Sequence, residues 1–85
     1  PGQAEARRQE ADVALRALEA ELRKAQARRA ELVKEYNNGA PERNALDLRN
    51  PQKYQERTAE LKASIARSES DIEGIQRELS RLPTP

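Results

Sequence analysis

Carboxylate pairs are the commonest residues in this sequence that could do chemistry. Glu19/Glu21, Glu31/Glu35, Glu56/Glu60 and Glu69/Glu73 offer the two-acid arrangement that hydrolases and di-metal bundles use. Those sites project their acids into a protected core. Here cations stand four residues away, as in Glu19–Arg23 and Glu73–Arg77, which is the spacing of a solvated helix face. Basic clusters at Arg7-Arg8, Arg23-Lys24 and Arg28-Arg29 could in principle grip phosphates. They are interleaved with acids and have no aromatic beside them for stacking, so they also read as solvated surface. Ser64, Ser68, Ser70 and Ser80 have no histidine to act as base, and Lys62 falls on an exposed flank. Gly2, Gly39 and Gly74 are isolated, so no phosphate-binding loop is present. The sequence has no His and no Cys, which removes structural zinc, imidazole bases, thiolates and disulfides. The expectation is a protein with no catalytic residue, no metal site and no cofactor, and so not an enzyme.

Composition leads to the elements. The chain has 85 residues, of which 36% are charged and 35% hydrophobic. Fourteen of the apolar residues are Ala, fourteen are Leu, Ile or Val, and two are Tyr, with no Phe, Trp or Met. Alanine buries little area and no large aromatic fills space, so a sizeable globular core is excluded. An Ala, Glu, Lys, Leu and Arg-rich chain of this kind is a long helix or coiled coil. The net charge of +1 provides no strong field toward nucleic acid or an anionic membrane, and neither partner is expected. No apolar run approaches the roughly 20 residues of a membrane helix, so no membrane insertion is expected. The Pro1-Gly2 opening, without Met or an apolar signal region, suggests a processed or excised fragment.

Two heptad runs dominate the pattern. In the first, Ala4, Ala11, Leu18, Ala25 and Leu32 occupy d positions, and Arg8, Leu15, Leu22, Arg29 and Tyr36 occupy a positions. In the second, Thr58, Ile65, Ile72 and Leu79 are a positions, and Tyr54, Leu61, Ser68, Ile75 and Leu82 are d positions. This is a coiled-coil seam, narrower than the apolar stripe of a globular helix. The spacing predicts helices over about 3–37 and 51–82, joined by a connection over 38–50 and closed by a proline-rich tail at 83–85. Gly39 is the best candidate for a left-handed helix end, and Asn50-Pro51 reads as an N-cap followed by proline at the first helical position. A short helical turn is expected to begin at Pro41, with Leu46 and Leu48 folding back over the end of the seam.

Neither run can hide its seam alone, and a connection of this length lets the chain reverse. The expected fold is all-α: an antiparallel two-helix coiled-coil hairpin, pairing into a helical bundle. A single long helix in a parallel dimer would bring Arg8 and Arg29 against their own copies and run through Gly39 and two prolines. Setting Tyr36 opposite Tyr54 gives a register in which facing residue numbers sum to 90. A register one heptad away, with numbers summing to 83, fits the repeat equally well but crowds Asn50-Pro51 against the first helix.

A lone hairpin of this size buries little, so a homo-oligomer, as a dimer of hairpins, is expected. Its contact face is expected along the backs of the helices, at Val13, Ala17, Ala20 and Ala27 on the first and Ala63, Ala66, Ser70 and Gly74 on the second. The competing reading is that alanine there is simply the best helix former on a wet surface. Tyr36, Leu46, Leu48 and Tyr54, at the tip, are the candidate docking site for a partner protein, because loops carry function more often than helix faces. The favoured reading of the two tyrosines is structural, as large amphipathic caps on the open end of the seam. The functional expectation is a non-catalytic hairpin that self-associates or presents a helical surface to a partner. The alternative is a small secretion chaperone or stalk that binds an amphipathic client helix.

The stretch from Glu35 to Leu82, with its "GAPER" turn and the "NPQKY" start of the second helix, resembles the coiled-coil tails of some proteobacterial envelope proteins of uncharacterised function. The resemblance implies a periplasmic, non-catalytic tail, and it assigns no functional residues.

Overall fold

The computed structural model describes residues 2–83; Pro1, Thr84 and Pro85, which include most of the expected proline-rich tail, lie outside the described residues. Helix α1 spans Gly2–Tyr36, a short turn covers Asn37–Gly39, helix α2 spans Ala45–Arg49, and helix α3 spans Pro51–Arg81. The two long helices pack on each other as an antiparallel hairpin, and the described residues contain no strand. The long-helix boundaries fall within about a residue of those the heptads predict.

The chain breaks where its local chemistry requires it. Asn37, Asn38 and Gly39 all carry positive φ, at 49°, 55° and 90°. Asparagine tolerates that region and glycine enters it without penalty, so α1 ends here. The Asn37 side chain donates to the Ala40 carbonyl at 2.9 Å and braces the turn. The short helix begins four residues later than Pro41, because Asn44 supplies the cap. The Asp47 N–H donates to Asn44 Oδ1 at 2.9 Å, and the Asn44 N–H donates to Asp47 Oδ2 at 2.8 Å, forming a reciprocal capping box. Asn50 accepts from the Lys53 N–H at 3.2 Å and starts α3, with Pro51 at its first turn.

The register corrects the expected pairings. The Arg29 guanidinium reaches Glu69 Oε1 at 3.1 Å, so facing residue numbers sum to about 98. Neither 90 nor 83 allows this, because either would set Glu69 more than ten ångströms along the axis from Arg29. The observed register is one heptad further along in the opposite direction. It sets Leu32 level with Ile65, Ala25 with Ile72, Leu22 with Ile75 and Leu18 with Leu79. It also sets Arg29 level with Ser68, the one polar d residue of the core of α3. The register with numbers summing to 90 would instead place Arg29 against Leu61 and Ser68 against Leu22. The observed register puts these two polar positions in one layer, so neither is set against a leucine, and the Arg29 guanidinium hydrogen-bonds Glu69 at the open side of the seam.

The offset exposes both ends. Helices of 35 and 31 residues measure about 52 and 46 Å, yet the molecule is 69 Å long. At one end the first turns of α3 run past Tyr36 and carry the connection. At the other, α3 stops level with about residue 16 of α1, and every residue from Gly2 to Glu10 is exposed.

Candidate protein-interaction site

At the connection, side chains from α1, the turn, α2 and α3 converge. Tyr54, on the first turns of α3, is buried, and its hydroxyl donates to the Pro41 carbonyl at 2.6 Å. The Arg43 guanidinium lies 4.3 Å from its ring centroid and the Arg57 guanidinium 5.5 Å from it, so two cations lie over the ring. One guanidinium nitrogen of Arg57 donates to the Glu42 carbonyl at 3.0 Å and to Asp47 Oδ2 at 2.6 Å. Asp47 is 6% exposed, placed there by α2, which turns this one carboxylate inward.

The Asn44 N–H is the largest cause that holds the Asp47 carboxyl below its ordinary value of 3.8. Burial opposes it, and the Arg57 hydrogen bond and charge, with the charge of Arg43, add to the lowering. A carboxylate whose pKa is depressed by folding stabilises the fold above its unfolded value and loses that contribution as pH falls through its folded value. Thermal midpoints followed by circular dichroism are therefore expected to fall as pH drops below about 3.8. Asp47→Asn should flatten part of that fall, and an unchanged pH profile in the variant would contradict this role.

The four candidate tip residues divide in two. Tyr54 and half-buried Tyr36 close the end of the seam and line one groove together with Gly39, Arg43, Thr58 and the exposed Leu48, whereas Leu46 does not line it. Leu46 and Leu48 do not fold over the seam. They are 71% and 73% exposed, because Asp47 between them takes the inward position on α2. They stand as two apolar side chains on a rigidly capped helical turn. Sequence reasoning missed Pro41, Arg43, Asp47 and Arg57; the readable signal was Asn44 followed three residues later by Asp47, the spacing of a capping box.

Elsewhere the candidate chemistry lies on wet surface. Glu19, Glu21, Glu31, Glu35, Glu56, Glu60, Glu69 and Glu73 are all exposed. Glu60 lies below its ordinary 4.5, mainly through its hydrogen bond from Arg67 at 2.6 Å, an exposed contact on one helix face. Ser68 is buried in the seam level with Arg29, and Ser64 is half-buried. Among the described residues no group of His, Cys, Asp or Glu could hold a metal ion, and no helix is long and apolar enough to cross a membrane.

The expected self-association residues also divide. Val13 is 68% exposed, and Ala17, Ala27, Ala66 and Ser70 are exposed, whereas Ala20, Ala63 and Gly74 are half-buried. Ser70 and Gly74 line a cleft with Lys24, Ala25 and Ile75, on the flank between the helices. A Cβ at Gly74 would meet only the flexible end of Arg77, at 3.7 Å, so packing inside the hairpin does not require glycine there. Compared with protein-family models, curated proteins and solved structures, the chain matches none of them.

Proposed function

We propose that this chain is a non-catalytic helical hairpin that works through its surfaces, self-associating or presenting a helical face to a partner protein. The observation that carries the reading is shallow burial. No described side chain is fully buried, and Tyr54, Leu61 and Ile75 are the only buried large hydrophobics. Leu15 and Val33 stay open to water, as do Leu46 and Leu48 at the tip. A seam between two helices has two open sides, and a further helix laid along either removes more aliphatic area from water at about 25 cal/mol per Å². A single core of this size supplies only about 3–5 kcal/mol, so association raises stability by mass action. The resemblance of the connection and α3 to envelope-protein tails adds the periplasm as the proposed compartment.

Thermal unfolding by circular dichroism tests the self-associating part. The midpoint is expected to rise between about 10 µM and 1 mM chain, as it must when a folded dimer is linked to an unfolded monomer. A constant midpoint together with a monomer mass by sedimentation would remove self-association.

A further inference from the structure

We propose that the groove beside Leu48 at the tip receives an acidic amphipathic helix of a partner protein. This rests on the partner-presenting side of the proposed function, and gives it a surface and a ligand. Leu46 and Leu48 are almost equally exposed, but only Leu48 lines the groove. Leu48 is held in place before anything binds. Its N–H donates to the Asn44 carbonyl at 3.3 Å, inside the turn that the Asn44–Asp47 capping box closes. A rigidly held apolar side chain loses little freedom when a partner covers it. The groove has a volume of about 570 Å³ and takes further apolar surface from Tyr36, Tyr54 and Ala59. Tyrosine and arginine are the residues on which protein contacts concentrate their affinity.

Shape and charge choose the occupant. One wall of the groove is a stripe of α3 from Pro51 through Tyr54 and Ala59 to Lys62, about 16 Å long at about 1.5 Å per residue. A helical wall offers no free backbone edge to an added strand, whereas a helix satisfies its own backbone and brings only side chains. Arg43 and Lys62 are the cations of the lining, and Asp47 is its one acid. Asp47 is 6% exposed and already accepts from Arg57 at 2.6 Å. Arg43 and Lys62 are both exposed, and among the described residues neither has a carboxylate within ion-pair distance. Counting Arg57, three positive groups therefore share one negative group, and the groove is complementary to added carboxylates. Arg43 lies over Tyr54, and Tyr54 precedes Lys62 by about 12 Å along α3. A helix with carboxylates at i and i+7 matches that spacing and turns leucines at i+3 and i+4 toward Leu48 and the tyrosines. A nucleic-acid backbone would bring charge without apolar surface, and a flat bilayer would not enter the groove.

Fluorescence anisotropy on the full chain tests this, with a labelled, end-capped peptide of about 15 residues that carries the pattern on an alanine and glutamine background. The pattern reads the same in both directions, so either orientation can bind. A dissociation constant of about 10–100 µM is expected. Leu48→Ala and Lys62→Glu, both at exposed positions, are each expected to weaken binding by at least about fivefold. Leu46→Ala should leave it unchanged. Replacing one peptide glutamate by lysine should restore affinity for the Lys62→Glu variant, which a damaged fold would not allow. Binding that survives Leu48→Ala, or that falls equally with Leu46→Ala, overturns the groove as the site. Tighter binding to phosphatidylglycerol vesicles or to a single-stranded oligonucleotide than to the peptide overturns the acidic helix as the ligand. No peptide binding up to about 1 mM overturns the proposal outright. In that event a thermal midpoint that rises with chain concentration leaves the proposed function standing through self-association, and a constant midpoint with a monomer mass removes it as well.

Discussion

Tyr54→Ala is expected to lower unfolding stability by about 3–4 kcal/mol, near the range for deleting a buried aromatic, as read from urea or thermal unfolding followed by circular dichroism. Tyr54 is the residue on which the connection closes. It contributes the largest buried side chain, the hydrogen bond to Pro41, and the ring over which Arg43 and Arg57 lie. Its loss also leaves Arg57 and Asp47 without the apolar wall that shields their ion pair. Tyr54→Phe keeps the ring and removes only the hydroxyl, so about 1 kcal/mol is expected. Equal effects from the two substitutions would mean that the hydroxyl, not the ring, holds the connection, contrary to this account. Because a single core of this size supplies about 3–5 kcal/mol, the alanine variant should approach an unfolded connection even at room temperature.

The second large effect is expected at the other end of the seam. Ile75 is buried and stands level with Leu22 in the observed register. Ile75→Ala should cost about 2–3 kcal/mol, the lower part of the range for such deletions, because a two-helix seam lets water reach the gap. Val13→Ala removes comparable hydrocarbon from a residue that is 68% exposed, and should change stability by no more than about 0.5 kcal/mol. The contrast tests the placement of the seam. Similar costs at both positions, measured at low chain concentration, would mean that α1 is rotated or that its back is covered.

Much of the hairpin was legible in the linear pattern. The a and d positions of both runs, the break at Asn37–Gly39 and the start at Asn50-Pro51 are local signals, set by helical periodicity and by which residues tolerate positive φ or lack an N–H. The register was not legible. Heptads repeat every seven residues, so pairing the two tyrosines had no more support from periodicity than the pairing seen. The connection was read only in part, because Asn44 and Asp47 satisfy one another's backbone and thereby shift the short helix four residues from Pro41. That shift turns Leu46 and Leu48 outward, where hydrophobicity alone suggested they would turn in.

The sequence by itself determined that this chain is two helices with complementary narrow seams and a reversal between them, because periodicity, caps and composition act over a few neighbouring residues. The tertiary structure decided how far one helix slides along the other and so what each end displays. In the packed hairpin the long-range polar contacts that go with this choice are Arg29 with Glu69 across the seam and Tyr54 with Pro41 at the tip. Their partners lie far apart in the chain, and only the packed helices bring them level.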